Sequence, residues 1–238
     1  MSESLLDYLG STEEEEAYAN RIYGVVPAKV TNTKDPEKLG RIKVNYPWLA
    51  EASESDWIRI ASFMAGSGRG GFFLPDVGDE VLVSFQQGDF DSPFIIGALW
   101  STDAKPPEEN ADGKNNIKLI KSRCGHTITI SDDTEASKAK IEIKTNAGHI
   151  ILMDDASGSE KIEIKDKTGN NKITIDSTAN AINIESSMEI KLKATNITIE
   201  ASGQLNLKGA TAKVEASATL DLNASGIATL KGSMTKIN

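Results

Sequence analysis

Few residues of this chain could do chemistry. Its two histidines, His126 and His149, each follow a glycine at the start of one repeated segment: Gly125-His126-Thr127-Ile128-Thr129-Ile130-Ser131-Asp132-Asp133 recurs as Gly148-His149-Ile150-Ile151-Leu152-Met153-Asp154-Asp155. If three copies of the chain gathered about an axis, each histidine would form a ring of three imidazoles, able to hold a metal ion if the ring faced the axis. Equivalent places in a repeat explain both as structural residues, and no metal is assigned to them. Cys124 lies two residues from His126, but no third group supports a thiolate–imidazole pair, and strand neighbours at i and i+2 share a face without catalytic geometry. Asp132/Asp133 and Asp154/Asp155 sit where strands end and polar turns begin, without the spacing of a calcium loop. Gly66-Ser67-Gly68-Arg69-Gly70-Gly71 reads as a flexible loop and lacks the Gly-Lys-Ser/Thr ending that cradles phosphate. The sequence therefore predicts no catalytic residue, no cofactor and no enzyme.

The elements are more informative. Apolar pairs separated by one residue recur through the second half: Ile182/Ile184, Ile190/Leu192, Ile197/Ile199, Leu205/Leu207, Ala212/Val214, Leu220/Leu222 and Ala228/Leu230. Alternation within a pair is the period of a strand with one buried face, and the intervening Asn183, Lys191, Thr198, Asn206, Lys213, Asp221 and Thr229 face water. The pairs start every seven or eight residues, too few to carry a chain around a core of its own, because a strand of about five residues already spans roughly 17 Å. Repeats without a private core must find neighbours. The expectation is three identical chains wound about one axis, with Ile182, Ile184, Ile190, Leu192, Ile197, Ile199, Leu205, Leu207, Val214, Leu220 and Leu222 as the trimer core.

Composition divides the chain in the same way. All 3 Trp, 4 Tyr and 6 Phe precede residue 101, and the remainder is a repetitive β composition. A net charge of −9 argues against non-specific nucleic-acid binding. The single Cys124 excludes an intrachain disulfide framework. The N-terminus lacks a basic region followed by an apolar one, so no secretory signal is expected and assembly would be cytoplasmic. No stretch is long and apolar enough to span a bilayer as a helix.

Along the chain, residues 1–20 form an acidic arm with Glu13 to Glu16 at its centre. Candidate strands at Gly24 to Val30, Gly40 to Tyr46, Asp56 to Ala61, Glu80 to Phe85 and Pro93 to Leu99 predict a small closed barrel over 21–100. Residues 101–116, with Pro106-Pro107 and Asp112-Gly113, read as a linker. Residues 117–178 carry longer repeats with Ile-x-Ile strands, and 179–238 the short ones.

With this order in place, the chain resembles the spike proteins of contractile injection systems, namely the phage baseplate assembly protein V family and the spike portion of VgrG. The resemblance is carried by Tyr23-Gly24-Val25-Val26, by Asp35-Pro36-Glu37-Lys38-Leu39-Gly40-Arg41-Ile42-Lys43-Val44, by Pro47-Trp48-Leu49, and by Gly68-Arg69-Gly70-Gly71-Phe72-Phe73-Leu74-Pro75-Asp76-Val77-Gly78-Asp79-Glu80-Val81-Leu82-Val83. It continues through Pro93-Phe94-Ile95-Ile96-Gly97-Ala98-Leu99-Trp100 and the repeats to the C-terminus. The resemblance implies an all-β chain: an OB-fold barrel followed by a trimeric, intertwined, three-stranded β-helix, at the centre of a baseplate and driven through a target envelope. Such a particle can be delivered outside the producing cell. VgrG proteins carry a large hub before the OB-fold, so the resemblance implies a separate hub protein on the N-terminal side or a truncated chain. The last repeats turn Ala-rich and no His follows residue 149. A blunt end around Leu230, Met234, Ile237 and Asn238 is expected, and by resemblance a PAAR-like tip protein caps it. The rival expectations are a trimeric stalk or adhesin whose OB-fold binds glycan or nucleic acid, and a polysaccharide-degrading β-helix, for which no catalytic constellation is present.

Overall fold

The computed structural model describes residues 21–49, 54–135 and 138–236. The N-terminal acidic arm, Ile237 and Asn238 lie outside the described residues. The described chain is all-β, with one short 3-10 turn at Gln86–Gly88 and no α-helix.

The first domain is built from β1 (Val25–Asn32), β2 (Lys43–Asn45), β3 (Arg59–Ile60), β4 (Ala65–Gly66), β5 (Arg69–Gly70), β6 (Glu80–Phe85) and β7 (Pro93–Leu99). Five of these form a sheet in the order β2-β1-β6-β7-β3, and β3 pairs with β7 in parallel. Antiparallel bridges Ile42↔Ile58 and Asn45↔Glu54 join the two edges, so the sheet curls round and meets itself. Curling leaves no open edge on that side. The alternation in β6 buries Val81, Val83 and Phe85 while Leu82 and Ser84 stay at the margin. They meet Ala28, Val30, Ile42, Val44, Ile58 and Ile95 in one apolar core. The β6–β7 register slips between Leu82 and Val83, opposite Gly97, a bulge that bends the sheet towards closure. Tyr46 packs under this core beside Phe85, Trp48 and Phe90. Burial pushes its phenol up to about 12. Three of the five expected strands, β1, β6 and β7, follow the sequence pattern closely, whereas β2 is confined to three residues and β3 to two.

The segment Asp35–Arg41 owes its form to one carboxylate. Asp35 accepts backbone N–H groups from Glu37 (3.1 Å), Leu39 (2.9 Å) and Arg41 (3.3 Å). It also receives a two-pronged bond from the Arg41 guanidinium at 3.0 and 2.8 Å. That guanidinium and the backbone donors hold the Asp35 carboxyl well below the usual carboxylate range. A depressed folded-state pKa contributes stability above the unfolded value of about 3.9, and that contribution is lost as pH falls through the folded value. Asp35→Asn is therefore expected to lower the neutral-pH melting temperature and to flatten its acid dependence below about pH 4, read by thermal melts across a pH series. An unchanged acid limb would show that Asp35 carries none of it.

The flexible loop expected at Gly66–Gly71 is instead a two-stranded ribbon. Residue pairs Ala65↔Gly70 and Gly66↔Arg69 close it, and the Ser62 hydroxyl bridges the Met64 and Gly71 carbonyls at 3.0 and 2.9 Å. The glycines fit it for a turn: Gly68 lies at φ +65° and Gly70 at φ +142°. A Cβ on Gly70 would overlap the Met64 carbonyl oxygen. Gly70→Ala should therefore open the ribbon and raise its protease sensitivity while the barrel core still melts cooperatively; a ribbon equally resistant to cleavage contradicts this.

After the loop at 101–116, the chain forms β8 (Ile117–Lys121), β9 (Thr127–Ser131), β10 (Lys140–Lys144), β11 (Ile150–Asp154), β12 (Lys161–Lys165), β13 (Lys172–Asp176) and β14 (Ala181–Glu185). These seven strands make one antiparallel sheet in strict chain order. The ladder from β8 to β14 is thus hydrogen-bonded within the chain, and Ile182 and Ile184, the first of the short-repeat pairs, belong to it. The repeated Gly-His segments lie at the hairpin turns. Gly125 (φ +87°) and Gly148 (φ +99°) supply the left-handed residue, and the His126 and His149 carbonyls accept the Ser122 and Thr145 N–H groups. A third turn is held by Asp166, which accepts Asn171 Nδ2 at 2.9 Å and whose carboxyl sits at about 2, chiefly because of that bond.

Contacts separate a second unit, Met188–Asn238, from the preceding one. From Glu189 to Lys236 there is no strand and no backbone–backbone hydrogen bond, and every described residue is exposed.

Candidate association surface

The register of the seven-stranded sheet sorts its side chains into columns. Ile128, Ile143, Ile151, Ile164, Ile173 and Ile184 stand opposite one another strand by strand, and so do Ile130, Ile141, Met153, Ile162, Ile175 and Ile182. Because the hairpins keep one register throughout, every Ile-x-Ile pair points to the same face. Cross-strand β-branched pairs of this kind favour the sheet, yet the face lies open: in β9 to β13 its residues are between 40% (Ile141) and 49% (Ile164) exposed.

The opposite face is the better covered one. Between the apolar columns runs a third, Thr129, Glu142, Leu152, Glu163 and Thr174, in which Leu152 and Glu163 are buried. Lys165 Nζ donates to Glu163 at 2.6 Å, which lowers the Glu163 pKa. Lys161 also reaches Glu163, and Lys140 reaches Glu142 at 3.7 Å. Long charged side chains thus lie over their own sheet and satisfy one another. The ordinary arrangement of a one-faced sheet, with the apolar side inside, is inverted for the lone chain.

The same imbalance is stronger in the second unit. Ile190, Leu192, Ile197, Ile199, Leu205, Leu207, Val214, Leu220 and Leu222 are all at least half exposed, reaching 82% for Leu207. Leu230 and Met234 are also exposed. An extended segment that leaves both its backbone groups and its aliphatic side chains to water has nothing of its own to hold it.

The residues weighed for chemistry are dispersed. His126 Nδ1 accepts the Asn146 N–H at 3.2 Å, which ties adjacent hairpin turns together. Asp132 pairs with Lys118 at 3.1 Å, and Asp154 accepts the Ala156 N–H at 3.0 Å. Cys124 is exposed. Among the described residues no three His, Cys, Asp or Glu side chains converge as metal ligands, and no helix is long and apolar enough to cross a membrane. Leu39, Phe72, Phe73 and Trp100, which carry part of the family resemblance, are each more than 60% exposed, and so is Phe63. Their signal was their place in turn-rich segments that supply no strand to bury them.

The model described as the type VI secretion system/phage-baseplate injector OB domain matches residues 26–100. Among curated relatives, the type VI secretion system spike protein VgrG4b of Pseudomonas aeruginosa is 37% identical over 97 residues, covering 37% of this chain and 12% of the relative. VgrG5 of the same organism is 36% identical over 102 residues, covering 40% of this chain and 13% of the relative. VgrG3 of Vibrio cholerae is 37% identical over 87 residues, covering 35% and 9%. Over this region the chain is similar to the VgrG-type baseplate spike proteins, and its match spans about an eighth or less of the length of each of these three.

Proposed function

We propose that this chain is the homotrimeric central spike of a contractile injection system, and that it works mechanically. One observation carries the reading: two regularly spaced aliphatic columns run through the sheet and similar pairs continue beyond it, uncovered by the chain itself. Exposed aliphatic side chains ranked in this way mark an interface. Threefold winding would turn the sheet's apolar face and the short-repeat pairs towards one axis. It would also give the backbone of 189–236 its hydrogen-bond partners. Each buried aliphatic side chain contributes about 1.5 to 3 kcal/mol, and no chain could leave without unwinding from the other two. The consequence is slow unfolding, the property a piercing tool needs.

The names of the relatives, spike proteins of type VI secretion systems, support this role over that of a glycan- or nucleic-acid-binding stalk. In this reading a separate hub or baseplate protein meets the N-terminal side, and a PAAR-like tip protein seats on Leu230, Met234, Ile237 and Asn238. Assembly takes place in the cytoplasm and the particle carries the spike outward. No catalytic step is involved. The test is purification of contractile particles from cells making a tagged chain. The chain is expected to co-sediment with sheath and tube at one end of the particle. A trimer absent from such particles but retained on an oligosaccharide or nucleic-acid column would establish the stalk instead.

A further inference from the structure

We infer that the OB domains of adjoining copies pack head to tail, the basic aromatic end of one domain on the acidic aromatic end of the next. The inference rests on the threefold reading and gives that assembly a second, independent interface. At one end, Phe63, Phe72 and Phe73 stand out around an open cavity of about 710 Å³ that Lys38 and Arg69 also line. Both cations are exposed, and among the described residues no carboxylate lies within ion-pair distance of either. The ribbon β4–β5 and the Ser62 bridge hold this end in shape, so little ordering is needed on contact.

At the other end, Trp48 and Phe90 are exposed at 46% and 39%, each packed at a tilted angle against Tyr46. Asp56 and Asp91 line a cavity of about 320 Å³ with Tyr46 and Phe90, and neither is in an ion pair among the described residues. The two ends are joined by one run of chain. Glu54 bridges Asn45 at the acidic end, Ile58 bridges Ile42, and the run continues through β3 to Phe63 at the basic end. The aromatic surfaces therefore sit at opposite ends of the segment 54–63, with opposite unpaired charge.

Unlike surfaces on one molecule make a heterologous contact, and such a contact closes into a ring when the rotation between copies permits. Like ends facing each other would set Lys38 and Arg69 against their own kind, which is disfavoured. Exposed aromatic and Arg residues are the types that anchor interfaces. A second copy satisfies both ends at once, whereas a different partner on one end leaves the other uncovered.

The experiment uses the full chain carrying Cys124→Ser, Arg69→Cys and Asp91→Cys, treated with a short bismaleimide and examined on denaturing gels, alongside each single-cysteine chain. Most of the double-cysteine chain is expected to shift to covalent species of two and three chains, with the single-cysteine chains unlinked. Arg69→Glu should reduce the yield of cross-link between two other cysteines placed at Lys38 and Asp56 several-fold, and Asp91→Arg should restore it. A native trimer with no cross-link overturns the head-to-tail contact and leaves the spike reading standing. Cross-linking of Arg69→Cys to itself overturns it as well, in favour of like ends meeting. A native monomer removes both.

Discussion

Ile199→Asp is expected to leave the chain unable to assemble, while Thr198→Asp, one residue earlier, should leave assembly intact. The two positions differ only in the side of the segment they take, since apolar residues recur at Ile197 and Ile199 and polar ones between them. In the lone chain both are exposed, so a monomer would tolerate either substitution equally, within about 0.5 kcal/mol. In a threefold shaft, Ile199→Asp sets three carboxylates around one axis. Each uncompensated buried charge costs several kcal/mol, and three exceed much of the roughly 5 to 15 kcal/mol by which a folded domain is stable. Because residues 189–236 have no backbone ladder of their own, loss of association should also remove their extended structure. Sedimentation and far-UV circular dichroism of the two variants decide the matter: equal behaviour would mean that this stripe is not buried.

Ile151→Asp combined with Ile164→Asp should produce a different failure. These residues face each other across β11 and β12, on the apolar side of a sheet whose ladder is wholly intrachain. Two adjacent charges there should abolish association through this face, again by several kcal/mol for each buried charge. The strands should persist, because Glu163, Lys165 and Leu152 on the other face and the hairpin bonds at Gly125 and Gly148 are untouched. The expected result is a smaller species that retains the strand signal of 117–185. A fully assembled variant would place the interface elsewhere, and a variant without strands would show that the sheet depends on its partners.

Much of this architecture was legible in the residues. The barrel core at Val81, Val83 and Phe85 follows from alternation alone, and the glycines at 125 and 148 mark turns because only a left-handed residue closes them at those places. The aliphatic columns were legible as pairs, since period two has a single structural meaning over so short a span. Their partner was not. Ile-x-Ile pairs alone do not say whether the next strand comes from the same chain, and the sheet from Ile117 to Glu185 shows that the longer connections let the chain pair with itself. The ribbon at Ala65–Gly70 was hidden because its strands have two residues each, with no side-chain alternation to read. The role of Asp35 was invisible for another reason. Its partners are chiefly backbone N–H groups, which carry no sequence signal, and only Arg41 marked it.

The mass of the native particle in solution tests the threefold association most directly, because both aliphatic surfaces depend on it. Native mass spectrometry of the intact chain should give three times 25.5 kDa, resistant to dilution. A single chain of 25.5 kDa that stays soluble with Ile199 and Leu207 in water would contradict it.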